Sequence, residues 1–136
     1  MNRTAALDLE AIERAGERLG RELAPQSVVW LQGPLGAGKT TLVRAIVRGR
    51  GVPGQATSPT YGLVHHYEGP RGGVYHVDCY RLRHADEASD LDWETLLGAD
   101  LLLIEWPERA GAWAPRPSLS VRLDHDADDT RALELQ

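Results

Sequence analysis

The stretch Gly33-Pro-Leu-Gly-Ala-Gly-Lys39-Thr40 joins two segments of opposite character and dictates how the chain around it must be arranged. Before it, Ser27-Val-Val-Trp-Leu-Gln32 is a short apolar run suited to a buried strand. After it, Thr41-Leu-Val-Arg-Ala-Ile-Val-Arg48 places Leu42, Ala45 and Ile46 on one helical face. Two glycines, a lysine and a hydroxyl at this spacing form the Walker A pattern, whose chemistry needs strand, loop and helix in that order. Glycine-permitted turns aim backbone N–H groups at phosphates, the lysine reaches the β- and γ-phosphates, and the hydroxyl ligates Mg2+. The helix N-terminus adds the positive end of its dipole to the same anion site. Lys39 is the only lysine among the 15 Lys and Arg residues. Arginine's broad planar fork does not replace a compact point charge in a cradle of amides. Nucleotide binding is therefore the first functional expectation.

The flanking sequence supplies elements for one α/β layer structure. Leu9, Ile12, Ala15/Gly16, Leu19 and Leu23 recur at three- and four-residue steps, so an amphipathic helix ends before Pro25. Gly51, Pro53 and Gly54 then break regularity and lead into the loop Gln55-Ala-Thr-Ser-Pro-Thr60. Strand-like runs over 61–67 and 74–80, separated by the turn-rich 68–73, predict a hairpin. In its second strand His76, Asp78 and Tyr80 project from one face. Residues 85–97 are acidic and read as helical, with a solvated face. Leu101-Leu-Leu-Ile-Glu105 is a continuous apolar run closed by a carboxylate, as expected of a buried parallel strand that delivers an acid at its C-terminal edge. Runs over 118–123 and 131–135 predict a closing pair of strands. The acidic turn between them begins like a calcium loop, but Asp129 stands where glycine is needed and Leu135 where the bidentate Glu belongs.

Composition excludes several classes of function. With 136 residues the chain reads as one domain over 1–136, with little room for a second substrate-binding lobe. A formal charge of -5 and the lack of any basic run argue against autonomous binding of tRNA or DNA. The single cysteine, Cys79, excludes an intramolecular disulfide framework and a Cys-cluster zinc site. No apolar stretch of spanning length and no basic-then-apolar N-terminus is present, so no membrane is expected and the cytoplasm is the default location.

Four signals stand in order: G-P-L-G-A-G-K-T-T at 33–41, T-S-P-T-Y at 57–61, H-V-D-C-Y-R-L at 76–82 and I-E-W-P-E at 104–108. Together they resemble the TsaE (YjeE) family, the small P-loop ATPases of bacterial tRNA threonylcarbamoyladenosine synthesis, and the match runs along nearly the whole chain. The resemblance implies a P-loop NTPase-like three-layer α/β sandwich with a central mixed, mainly parallel sheet and a β-hairpin. It implies ATP and Mg2+ as cofactors. Gly33, Leu35, Gly36, Ala37, Gly38, Lys39, Thr40 and Thr41 would form the triphosphate site, with Thr40 and Glu105 as the metal ligands. By resemblance Asp78 is the candidate to orient or activate the attacking water, and Lys39 joins it as a catalytic residue. His76 shares the face of Asp78 but lacks a metal partner at the right spacing, which makes it a supporting or core histidine. Thr60 belongs to the family's nucleotide-sensing loop, and Trp106 and Arg131 match positions near the nucleotide. The family usually has an acid after the first P-loop glycine. Here Pro34 fixes φ and removes one loop donor.

The function implied is an ATPase that acts with TsaD and TsaB in forming the threonylcarbamoyl group on tRNA adenosine 37, slow alone and stimulated by those partners. The tRNA would be held through the complex. Two alternatives stay open: a small-molecule or nucleotide kinase, whose acceptor pocket and converging arginines have no evident source here, and a switch protein that binds ATP without turnover.

Overall fold

Val29 and Leu31 pack to one side of their strand and Val28 and Trp30 to the other, and this alternation organises the whole computed structural model, which describes residues 2–53 and 63–136. The strands are β1 (Asn2–Leu7), β2 (Ser27–Gln32), β3 (Val64–Gly69), β4 (Gly72–Asp78), β5 (Leu101–Glu105), β6 (Leu119–His125) and β7 (Arg131–Leu135), in one sheet of order β1-β7-β6-β2-β5-β4-β3. The helices are α1 (Leu9–Glu22), α2 (Lys39–Gly49) and α3 (Trp93–Leu97). The four middle strands, β6, β2, β5 and β4, are parallel, and antiparallel ladders close both margins. On one face Ile12 of α1 and Leu42, Val43 and Ile46 of α2 bury Val29, Leu31, Leu101, Leu103 and Val121. On the other, Leu82, Ala88, Leu91, Leu96 and Ala110 cover Val28, Val77, Leu102 and Ile104. The result is the expected three-layer sandwich with its hairpin.

Local chemistry explains the element ends. The Asp8 carboxylate accepts from the Ala11 N–H at 2.8 Å and starts α1, and the extended Leu23 ends it two residues before Pro25. The two helices cross in close contact because glycine backbones meet there. A Cβ on Gly20 would lie 2.1 Å from the Ile46 carbonyl oxygen, and one on Gly49 2.0 Å from that of Glu17.

At the C-terminal end of α2 the Arg50 side chain is fully enclosed. Its Nε and one terminal nitrogen each donate to Asp100 at 2.8 Å, and its other nitrogen donates to the carbonyls of Gly20 (2.9 Å) and Leu23. The Asp100 backbone in turn donates to Gly73 O (2.9 Å) and accepts from Gln26 N (2.7 Å). One ion pair thus ties together α1, α2 and the starts of β4 and β5.

Three local expectations differ from what is observed. The hairpin connection is tighter than 68–73: Gly69 pairs with Gly72, leaving only Pro70 and Arg71 between them. Residues 85–97 do not form one helix. A 3-10 segment, Ala85–Asp90, ends at the extended Leu91, and Asp92 then caps α3 by accepting from Thr95 N at 3.2 Å. Finally, β1 was not expected. Its residues 3–6 are exposed and carry no alternating apolar pattern, so backbone pairing with β7 places it, helped by Asp126, which accepts from Ala6 N at 2.9 Å. That amide and the Ala127 N–H hold the Asp126 carboxyl below the ordinary carboxylate range, so the acidic turn serves as an edge fastener.

Candidate functional site

The loop between β2 and α2 is shaped by where a side chain cannot go. Gly33 has φ of 140°, and a Cβ there would sit 2.0 Å from the Leu123 carbonyl oxygen, so β6 closes the loop's base against bare backbone. Gly36 and Gly38 also have positive φ, at 75° and 102°. Gly38 begins α2 with no side-chain cap among the described residues and no acid in the first turn. The first amides of α2 are therefore presented to an incoming anion. Ala37 is buried in the core, and Thr40 stands exposed on the first turn with Thr41 behind it, half-buried. The side chain of Leu35 faces outward, but its carbonyl lies 3.3 Å from His125 Nε2, a donor that the sequence reading missed.

Lys39 is 6% exposed, and its ammonium is folded back on the loop. It donates to Gly33 O and, at 3.5 Å, to Pro34 O, and it lies 3.8 Å from the centre of the Trp106 ring. Burial lowers its pKa, and the carboxylates of Glu105, Glu108 and Asp78 oppose that shift. Three acids are therefore close enough to act on the one ammonium, two of them expected from the sequence. Glu108 was missed, although it lies three residues after Glu105 in the same motif.

Trp106 takes φ 55° and ψ 49°, a left-handed conformation that costs a non-glycine residue roughly 1–3 kcal/mol. This turn at the end of β5 swings the indole across the lysine. The Arg109 guanidinium lies 5.3 Å from the same ring and 4.7 Å from that of Tyr80, and it donates to Tyr80 O at 2.8 Å. Both cations thus lie near the Trp106 ring beside the loop. Arg131 is engaged differently from a free nucleotide ligand. Its Nε donates to Ala37 O (3.1 Å) and a terminal nitrogen to Gly36 O (3.2 Å), while the other donates to Asp129 O and Thr130 O. It braces the outer side of the loop by its carbonyls, leaving the amides to face inward. Thr60, with the rest of T-S-P-T-Y, lies outside the described residues.

The acids come from neighbouring parallel strands. Asp78 at the end of β4 is the register partner of Glu105 at the end of β5, and Glu105 pairs on its other side with Leu31 of β2, two residues before the loop. One oxygen of Asp78 accepts from Tyr80 N at 3.0 Å, and its own N–H donates to Leu63 O at 2.9 Å. Glu105 is buried, with Oε2 2.6 Å from His76 Nε2. Thr40 in the first turn of α2 offers a hydroxyl and Glu105 at the end of β5 a carboxylate. This all-oxygen set fits a hard cation that takes one or two protein ligands and completes its shell from phosphate and water.

Comparison with known proteins shows the family. The family model described as "Threonylcarbamoyl adenosine biosynthesis protein TsaE" matches residues 6–133. The tRNA threonylcarbamoyladenosine biosynthesis protein TsaE of Streptomyces coelicolor is 40% identical over 118 residues, covering 85% of this chain and 80% of that protein. The protein of the same name from Treponema pallidum is 38% identical over 121 residues, covering 88% and 89%. The crystal structure of Bacillus subtilis YdiB shares the fold, with a TM-score of 0.79 over 97% of this chain and 82% of that one at 22% identity. With a P-loop lysine at the start of α2 and acids ending β4 and β5, this chain, matched by the family model over residues 6–133, belongs to the TsaE family.

Proposed function

We propose that the chain is a Mg2+-dependent ATPase of tRNA threonylcarbamoyladenosine biosynthesis that works with TsaB and TsaD in forming the threonylcarbamoyl group on tRNA adenosine 37. The observation that carries this reading is the pairing of Asp78 with Glu105 on adjacent parallel strands, with Glu105 in turn beside Leu31 of β2, the strand that leads into the loop of Lys39. Loop amides and the start of α2 hold the triphosphate, and Lys39 exchanges the carbonyls of Gly33 and Pro34 for phosphate oxygens. Thr40 and Glu105 would hold a Mg2+ ion, which would supply charge neutralisation to the triphosphate when bound. Asp78 uses its second carboxylate oxygen to orient a water in line with the γ-phosphorus. As the water oxygen bonds to phosphorus and the bond to the bridging oxygen breaks, the water proton passes to the carboxylate or to phosphate. Trp106 flanks the nucleotide, Arg131 braces the loop that holds it, and Thr60 is assigned to the site by the family pattern. Among the described residues no helix is long and apolar enough to cross a membrane, and we place the protein in the cytoplasm with its ATP and tRNA.

The test is steady-state phosphate release by the purified chain, alone and with TsaB–TsaD. By the family resemblance the partners complete the site, so release should be slow alone and rise clearly with the pair. Full activity alone with no response to the pair rejects the reading, and phosphate appearing on an acceptor instead of free in solution indicates a kinase.

Nucleotide binding itself is checked at Lys39. At ATP concentrations about 100 times Kd the parental chain gains about 2.7 kcal/mol of stability by mass action, and Lys39→Ala should lose nearly all of it. The ligand-free variant should melt close to the parental chain, because the ammonium's partners are two carbonyls and a ring face. Unchanged stabilisation by ATP in Lys39→Ala would contradict the P-loop assignment.

A further inference from the structure

Glu105 has one of its two carboxylate oxygens already engaged within the protein. Its carboxylate is buried at the end of β5, and Oε2 lies 2.6 Å from Nε2 of His76, itself 8% exposed. As a metal ligand Glu105 would be a carboxylate that only accepts, and the partner Nε2 would then be the donor. The arrangement is built by the sheet. His76 lies two residues before Asp78 on β4, level with Leu103, so its ring and the carboxylate of Glu105 share one face. The ring is steadied from behind by its cross-strand partner on β3: His65 stacks on it with centroids 5.5 Å apart and planes 21° from parallel. A charged hydrogen bond between two buried groups, with one ring packed on another, fixes the plane of the carboxylate and leaves Oε1 for a ligand.

This constraint discriminates between cations. Mg2+ accepts single oxygens in a tight octahedron and keeps several waters, whereas Ca2+ takes six to eight oxygens and commonly uses both oxygens of a carboxylate. We propose that His76 is a positioning residue that holds Glu105 in one-oxygen coordination and so favours Mg2+ over Ca2+ at the nucleotide site. The proposal rests on the reading of Glu105 as a metal ligand. A histidine that merely satisfied a buried carboxylate would change stability when removed and leave the choice of metal alone.

The experiment measures binding of a non-hydrolysable ATP analogue to the full chain while free Mg2+ or Ca2+ is titrated, and again in EDTA. His76→Phe keeps a ring against His65 and removes the donor, and His76→Leu removes both. His76→Gln returns an amide N–H near the position of Nε2. In the donor-free variants the Mg2+ midpoint should shift by roughly 10–100-fold, the usual cost of losing a group that orients a metal ligand. The Ca2+ midpoint should shift less, so the preference for Mg2+ narrows. Metal-free binding should stay at the parental level, and His76→Gln should recover most of the preference. An unchanged Mg2+ to Ca2+ ratio in a folded donor-free variant overturns the proposal. The parental chain offers a check that needs no substitution: imidazole 15N shifts with Mg2+ and nucleotide bound should show the proton of His76 on Nε2, and a proton on Nδ1 alone overturns it. Glu105→Ala separates the two levels. If it leaves the metal dependence intact, the ligand reading falls and the proposal with it. If it abolishes that dependence while the His76 variants behave as the parental chain, only the proposal falls.

Discussion

Asp78→Asn should bind Mg2+–ATP at least as tightly as the parental chain and lose hydrolysis by about 10^2–10^4-fold, the range for removal of a positioned general base. The geometry explains why the two properties separate. One oxygen of Asp78 is already used by the Tyr80 amide, a bond that an asparagine carbonyl can keep, and the backbone bond to Leu63 does not involve the side chain. What disappears is the negative acceptor on the other side. Removing that charge from the neighbourhood of a triphosphate lowers repulsion, so affinity should hold or tighten, opposite in sign to the effect of Lys39→Ala. Single-turnover phosphate release with TsaB–TsaD, set against the nucleotide Kd of the same preparation, reads both. Hydrolysis at the parental rate in Asp78→Asn would falsify the assigned role.

The second large effect concerns stability. Arg50→Met should cost about 3–5 kcal/mol, because it leaves the Asp100 carboxylate without its partner at a site where the side chain is only 2% exposed. The loss should appear as a lower urea midpoint. The pair lies at the C-terminal end of α2 and the start of β5, whereas the loop lies at the N-terminal end of that helix, Glu105 at the far end of that strand and Asp78 at the far end of β4. Nucleotide affinity of the folded fraction should therefore survive. Adding Asp100→Leu to Arg50→Met should return part of the stability, since apolar packing removes the unpaired charge. A parental urea midpoint for Arg50→Met alone would mean that water reaches Asp100 and the enclosure is looser than the geometry indicates.

Sequence legibility followed the reach of each interaction. The Walker A segment and the strands around it could be read because their constraints are local: glycine turns, a buried apolar run, a helical stripe. The acid at the end of 101–105 was readable for the same reason, since a fully apolar run must be central and its last residue must emerge at an edge. The edge strand β1 was not readable, because exposed residues with no alternation are placed by a partner far along the chain. The break at Leu91 went unseen because an acidic stretch suits one helix or two short pieces, and Asp92 as a cap competes with helix continuation.

Within the site, parity alone put His76 and Asp78 on one face, yet the contact of His76 with Glu105 depends on the register of β4 against β5, which periodicity does not give. Arg131 shows the converse. Family resemblance put it near the nucleotide, and its guanidinium is engaged with four loop and turn carbonyls, which no motif encodes. Trp106 sits beside Lys39 through a left-handed backbone turn of a kind that nothing in its local sequence signals.

The alignment of β4 with β5 bears on how the molecule assembles. Every residue carries the same backbone donor and acceptor, so a hairpin docked one step out of phase could still satisfy its hydrogen bonds. Such a slip would turn His76 and Asp78 toward the layer that holds Val28 and Ile104, and send Val77 and Cys79 toward the phosphate side. Charge would enter an oily layer and apolar groups would line the water-filled end, an arrangement far less stable than the native one. The alternation that lets two acids share a face therefore also proofreads the docking of the hairpin, and chains that are folded yet inert should be scarce in any preparation.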